Sequence, residues 1–256
     1  MIDWQLQQQT IAIVGGCGGI GRALTQTCLD NQMRVAVLDL PRSIAENPVD
    51  DRAEMVIALD AAKKMDIVAA FAQLNKHWPN LNHLVCLQGF TSALAPLENL
   101  TLDTWEEVMD VNLRSVWLCC KYAMPLLRQA EQASVVLVSS GIGNLGSAGY
   151  GPYAVAKGGL QTLTKILARE GAPRVRANAI APGAVLTPFL GKGTGRGGQQ
   201  GDAPERVNME QYLKMVPAGY VATPQDIADP ILFLMSHAAR YLTGQILHVN
   251  GGALMP

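Results

Sequence analysis

Tyr153 and Lys157 stand four residues apart, and a serine, Ser140, precedes the tyrosine by thirteen. Residues at i and i+4 are neighbours on one helix face. A free phenol titrates near ~10 and a free ammonium near ~10.4. An adjacent cation favours the phenolate and lowers an acid's pKa by about 1–3 units. The pairing would bring Tyr153 toward the range where it exchanges a proton near neutral pH. A serine hydroxyl could hold the oxygen that gains or loses that proton. The same spacing also arises by chance in a surface tyrosine and lysine, so the flanking segments must decide.

Those segments suit the chemistry. Residues 134–138 form an apolar, β-branched run that reads as a buried strand, and residues 158–168 have helical spacing of apolar positions. Ser139 and Ser140 therefore leave the C-terminal end of a strand, where ligands of open α/β sheets bind. Ser139 reads as structural. At the other end of the chain, the β-type run 10–14 is followed by Gly15-Gly16-Cys17-Gly18-Gly19-Ile20-Gly21 and then by helix-forming residues. Glycines in that context let the backbone approach a pyrophosphate and present helix N-terminal amides to it. The loop allows two registers, Gly16/Gly18/Gly21 or Gly15/Gly19/Gly21. A second match at Gly193, Gly195 and Gly198 has no strand before it. It lies in a stretch, 191–201, with six glycines in eleven residues, which reads as a loop.

Residues 34–39 predict the next strand, which ends in Asp39 about twenty residues after the glycines. A carboxylate there accepts hydrogen bonds from the ribose hydroxyls and repels a 2′-phosphate, which argues for NAD. A solvated acid at a strand end is the plainer alternative, and Arg42 is a nearby cation of opposite tendency. Residues 55–60 and 83–87 read as the third and fourth strands, with a helix over 63–78 between them. A long helical region over 101–129 carries Asn112, which alone reads as a polar residue satisfying backbone. Residues 174–181 predict a sixth strand stopped by Pro182-Gly183. Pro224 opens a helix through about Ser236 with Thr223 as its cap, and 245–249 is a last strand. This alternation gives an α/β fold, a doubly wound parallel sheet of Rossmann type flanked by helices on both faces. The 256 residues fit a single domain.

Net charge −1 and a pI near 6.4 argue against nucleic-acid binding. The first nine residues lack the pattern of a signal peptide, and no apolar run reaches the ~18 residues of a membrane span. The five cysteines include no C-x-x-C and read as free thiols in a reducing cytoplasm. The four histidines have no ligand-like spacing, so no metal is expected.

Together these motifs resemble the short-chain dehydrogenase/reductase family, in its shorter single-domain branch, over essentially the whole chain. The resemblance selects the register Gly15, Gly19, Gly21. It implies catalytic roles for Asn112, Ser140, Tyr153 and Lys157. Tyr153 would be the proton carrier, Lys157 would hold the nicotinamide ribose, and Asn112 would hold a water leading from Lys157 to solvent. It implies cofactor contacts from the glycine loop with Cys17 and Ile20, from Asp39 and Leu40, and from Asp60 and Ala61 at the adenine. On the nicotinamide side these would be Gln88, Gly89, Pro182, Gly183, Val185 and Thr187, with Tyr153 and Lys157. Asp60 could equally cap the helix that follows it. The resemblance also implies a homotetramer.

Three departures bear on cofactor affinity and loop order rather than on reaction type. Val14 stands where the family has a threonine. Cys86-Leu87-Gln88-Gly89 replaces Asn-Asn-Ala-Gly, losing amides that stitch neighbouring strands. Tyr220 stands where an arginine is common.

Ser140, Gly141 and Tyr150 are candidate substrate contacts. Residues 189–216 fall where the family has a mobile lid, and there Lys192 and Arg196 could pair with an anion. The expected substrate is a small polar alcohol (a polyol, sugar or hydroxy acid), more readily anionic than not. The rival functions are a 3-oxoacyl-thioester reductase of the same family and a dinucleotide sensor or scaffold without turnover. An epimerase of the longer branch would need an added substrate domain.

Overall fold

The computed structural model describes residues 4–190 and 208–256. Seven strands form one parallel sheet: β1 Thr10–Val14, β2 Arg34–Asp39, β3 Met55–Ala58, β4 His83–Cys86, β5 Ala133–Val138, β6 Val175–Pro182 and β7 Ile246–Val249. Their order is β3-β2-β1-β4-β5-β6-β7. The chain winds outward from β1 to β3, returns to β4 beside β1, then winds the other way. The reversal between β1 and β4 is the point where such sheets open a ligand crevice at their carboxyl ends.

Central strands are buried on both faces, so they read as continuous apolar runs. In β1, Ala12 and Val14 join one core with α3 (Lys64–His77), α5 (Ser115–Leu127) and α7 (Gly151–Gly171). Ile11 and Ile13 join the opposite core with α1 (Gly19–Asp30) and α9 (Pro224–Met235). The period-2 alternation of a strand divides the residues between the two layers. Thr223 caps α9 in a reciprocal arrangement with Asp226, whose carboxylate accepts from the Thr223 backbone N–H at 2.7 Å.

Several elements differ from the sequence expectation. β3 ends at Ala58 rather than Asp60, because after Leu59 donates to the Asp39 carbonyl the chain turns toward α3. β6 includes Pro182: its missing N–H costs nothing there, and its carbonyl accepts from Gly141. The region 101–129 is two helices, α4 (Leu102–Met109) and α5, joined by a π-helical turn at Asp110–Arg114 around Asn112. Short helices α2 (Pro41–Glu46), α6 (Ile142–Leu145) and α8 (Met209–Lys214) were not anticipated. A proline at the first position of α2 is the one signal that could have found it.

Among the described residues, no helix is long and apolar enough to cross a membrane. All five cysteines are buried and free.

Candidate active site

At the carboxyl ends of the strands lies an elongated cleft of about 1240 Å³. Its first wall is the turn from β1 into α1. Gly15 has φ +85, and a Cβ added to it would come within 2.8 Å of the Gln88 backbone nitrogen. A Cβ on Gly21 would overlap the Gly15 carbonyl oxygen. Both positions therefore need glycine for backbone to pass backbone. Gly18 caps α1 without a side chain, leaving the first amides of the helix open to the cleft. This is the construction that favours an anion.

The loop is braced without the hydroxyl that Val14 lacks. Asp39 Oδ2 accepts from the Cys17 N–H at 2.8 Å, Asp39 Oδ1 accepts from Leu40 at 2.7 Å, and Gly15 donates to the Leu38 carbonyl at 2.8 Å. Burial pushes the Asp39 carboxyl up, and the two backbone donors pull it back. The cleft beside it is lined by Arg22, Arg42 and Glu46, and Arg42 is paired with Glu46 at 2.6 Å. The sequence alone points to Arg42 but not to Glu46, whose place depends on the unforeseen α2, nor to Arg22, which carries no motif signal within α1.

The middle of the cleft is formed where β4 and β5 end. Lys157 is 4% exposed, and its Nζ donates at 2.8 Å to the Val138 carbonyl at the end of β5. Burial lowers its pKa to about 8. Its ammonium lies 5.6 Å from the centre of the Tyr153 ring. Ser139 Oγ donates to the Lys157 carbonyl at 2.8 Å and accepts from Gln161, which ties the serine to α7. Ser140 Oγ accepts from the Ile142 N–H at 3.3 Å, and the residue lines the cleft.

Asn112 is fully buried and does not line the cleft. Its amide donates to the Phe90 and Val108 carbonyls at 2.8 Å each, and its Oδ1 accepts from the Phe90 N–H at 3.2 Å. It pins the chain that leaves β4. A Cβ on Gly89 would sit 2.6 Å from Asn112 Oδ1 and 3.4 Å from Lys157 Nζ, so both groups crowd the same glycine.

Gln88 replaces strand stitching with a different tether. Its amide nitrogen lies 3.3 Å from Ser115 Oγ and 3.7 Å from Cys119 Sγ, both on α5, while its Oε1 is buried without a partner.

The structure thus brings Gly15, Cys17, Gly19, Ile20, Gly21, Asp39, Leu40, Ala61, Gln88, Gly89, Pro182, Gly183, Val185 and Thr187 into one cleft. Ser140, Gly141, Tyr150, Tyr153 and Lys157 line the same space. It does not bring Asp60 there. The early end of β3 points Asp60 at its own turn, where Oδ1 accepts from Ala62, and Leu59 and Ala61 line the cleft instead. Nor is Asp60 a helix cap, since Lys63 holds that position. Lys192 and Arg196, and most of the expected lid, lie outside the described residues. Tyr212, Met215 and Leu254 line the far end and were missed; they come from segments with no shared spacing.

The parts fit a dinucleotide: an open helix N-terminus over backbone-tight glycines, an acid at the next strand end, and a buried orphan acceptor farther along. Fold and site define an open α/β protein with a cleft of dinucleotide-binding type at its strand ends. A family model described as enoyl-(acyl carrier protein) reductase matches residues 15–253. The chain belongs to the short-chain dehydrogenase/reductase family.

It is 30% identical over 260 residues to the 3-oxoacyl-(acyl-carrier-protein) reductase FabG of Vibrio cholerae, covering 98% of this chain and 99% of that one. It is also 30% identical to a 2,5-dichloro-2,5-cyclohexadiene-1,4-diol dehydrogenase of Sphingobium indicum, covering 96% and 97%. A short-chain dehydrogenase/reductase crystal structure from Brucella melitensis, described as a glucose/ribitol dehydrogenase, superposes with a TM-score of 0.87 at 27% identity over 100% of both chains.

Proposed function

We propose that this protein is an NAD(H)-dependent oxidoreductase that interconverts a secondary alcohol and a ketone, with Tyr153 as general acid and base. The observation that carries the reading is the continuity of one cleft from Asp39 and the glycine turn to Ser140, Tyr153 and Lys157. Gly15, Cys17, Gly19, Ile20 and Gly21 would hold the pyrophosphate, Asp39 and Leu40 the adenosine ribose, and Ala61 the adenine. Gln88, Gly89, Pro182, Gly183, Val185 and Thr187 would hold the nicotinamide half. When bound, the nicotinamide supplies the hydride acceptor or donor.

The chain supplies the proton and the electrostatics. Tyr153 takes the alcohol proton in oxidation and returns it in reduction. Lys157 favours the phenolate by its charge. Ser140 donates to the reacting oxygen, a role worth about 3 kcal/mol where such donors are removed from enzymes. Asn112 positions the β4 exit against Lys157 through Phe90. We further propose that the protein acts on a small molecule rather than on nucleic acid or membrane, in the cytoplasm, as a homo-oligomer of the family's tetrameric kind. Half-exposed Trp117, Val155 and Ile166 on α5 and α7 suit association.

The named relatives act, by their names, on 3-oxoacyl thioesters, a cyclic diol and sugars, and this range supports chemistry at CH–OH while leaving the thioester reading open. Incubation with NAD and a panel of secondary alcohols tests the proposal through formation of the reduced cofactor. An acetoacetyl thioester with each reduced cofactor tests the rival. Turnover confined to the thioester would replace the proposal by the rival.

A further inference from the structure

Among the described residues, the charged side chains of the cleft lie at its glycine-turn end and, with Lys157, at its middle. Its charged lining residues, among those described, are Arg22, Asp39, Arg42, Glu46 and Lys157. The first four belong to α1, the end of β2 and α2. Lys157 is already bound to the Val138 carbonyl and set against Tyr153. β2 and β5 are three strands apart in the sheet, about 14 Å at the usual strand spacing. The far end, beyond Ser140 and Tyr153, holds no charged side chain among the described residues.

What it holds instead is hydrocarbon. Ile142, Tyr150 and Phe189 pack against the apolar cluster that contains Tyr153, and the Phe189 ring centre is 6.2 Å from that of Tyr153. The Leu254 side chain comes within 3.6 Å of where a Cβ on Gly141 would stand, so it lies beside the residue that follows Ser140. Leu145 and Met215 line the same end while 59% and 62% exposed. Nearby polar atoms are turned inward: the Tyr212 hydroxyl accepts from the Ala184 N–H at 2.8 Å. The Asn250 amide donates to the Leu254 carbonyl at 2.9 Å and its oxygen accepts from Gly252 at 2.9 Å.

From this lining we infer that the substrate is an uncharged secondary alcohol or ketone with a largely hydrocarbon body, a medium-length chain or a ring, rather than a hydroxy acid or phosphorylated polyol. This rests on the oxidoreductase reading and names the substrate class for that site. An ionised carboxylate placed between Phe189, Ile142 and Leu254 would lose its hydration with no cation among the described residues to replace it. A hydrocarbon body would cover apolar surface that now faces water. The neutral hydroxyls of Ser147 and Tyr150, which also line the cleft, could serve one further hydroxyl of such a substrate.

The test is kcat/KM with NAD for 2-butanol through 2-octanol and for cyclohexanol, against 3-hydroxyacids of matched length, using the full chain and its Leu254→Lys variant. The alkanols should improve roughly three- to fourfold per added methylene until the pocket is filled, and the matched acids should be on the order of a hundredfold poorer. Leu254→Lys should reverse that order, lowering turnover of the alkanols and raising that of the acids. A flat alkanol series, preference for the acids, or a variant that changes both classes equally would overturn the inference while leaving the oxidoreductase reading in place. Turnover of neither class, with NADH still bound in a fluorescence titration, would overturn both.

Discussion

The Lys157 ammonium is held between the Val138 carbonyl, 2.8 Å away, and the Tyr153 ring, whose centre is 5.6 Å away. This joins the end of β5 to α7 and fixes a cation beside a phenol in a buried site. Burial lowers the Lys157 pKa to about 8, so its charge is lost in the alkaline range where it would stay charged on an exposed chain. Activity of the proposed reaction should fall as pH rises through about 8 to 9, as the cation beside Tyr153 disappears.

The same shift has a consequence for stability. Between about 8 and the ordinary lysine value near ~10.4, the unfolded chain binds a proton at this position that the folded chain does not. Stability contributed by Lys157 therefore rises with pH across that window. Below it, folding carries the cost of burying the charge. Lys157→Met should be inactive yet melt at or above the temperature of the parent at pH 7. A large drop in melting temperature would show that the Val138 contact outweighs the buried charge.

His83 predicts the opposite end of the pH scale. It is buried between Ser134 Oγ at 2.8 Å and Gln9 Oε1 at 2.5 Å. Gln9 Oε1 can only accept, so Nε2 carries the proton and Nδ1 accepts from Ser134. Burial, with Arg176 nearby, lowers its pKa to about 3. Between about 3 and 6.5 the unfolded chain binds the extra proton, so stability is lost as pH falls through that window. His83→Gln should remove this slope. Urea unfolding at pH 6.5 and 4.5 checks it: the variant should lose clearly less stability than the parent between the two, and equal losses would contradict the assignment.

Gly21→Ala would place a methyl group against the Gly15 carbonyl oxygen and the Gly16 backbone. Backbone cannot yield as a flexible side chain does. The substitution should cost about 1–3 kcal/mol of stability and weaken NADH binding severalfold by opening the turn. Thermal unfolding and fluorescence titration measure the two effects separately. An alanine variant that binds NADH like the parent would mean that the turn does not hold the pyrophosphate.

The proposed preference for NAD(H) rests on Asp39. A 2′-phosphate would meet the Asp39 carboxylate, with Glu46 nearby and already engaging Arg42. NADH should bind on the order of tenfold or more tighter than NADPH, since like charges at close range are strongly disfavoured. Asp39→Ala should narrow the gap but also loosen the glycine turn, because it removes the acceptor of the Cys17 N–H. Tighter binding of NADPH by the parent would contradict the assignment.

The legible parts of this molecule were those written in local spacing. The i, i+4 pair Tyr153/Lys157, the strand–glycine–helix run and the acid closing β2 depend on short stretches whose geometry is set by helix and strand periods. Only the family resemblance, through its serine-to-tyrosine spacing, separates Ser140 from Ser139, and the hydrogen bond of Ser139 to the Lys157 carbonyl gives the physical basis. Asn112 resisted reading because its place depends on a π-helical turn, which leaves no mark in apolar periodicity. The loss of a hydroxyl at Val14 suggested a loose turn, yet Asp39 braces it from another strand, a compensation that exists only after β1 and β2 pair. Tyr212, Met215 and Leu254 meet at the far end of the cleft from distant segments, so the apolar lining there could not be seen in the chain. The expectation of an anionic substrate drew on Lys192 and Arg196, outside the described residues.

Tyr153→Phe is the most direct test of the central claim, because it keeps the ring packed against Phe189 and Tyr150 and removes only the hydroxyl. Turnover of a secondary alcohol with NAD should fall by about 10²–10⁴-fold, while the dissociation constant for NADH, measured in the same preparation, stays within a few-fold of the parent. Substantial turnover by the variant would contradict the account and move the proton-transfer role to another group, with Tyr150 the first to examine.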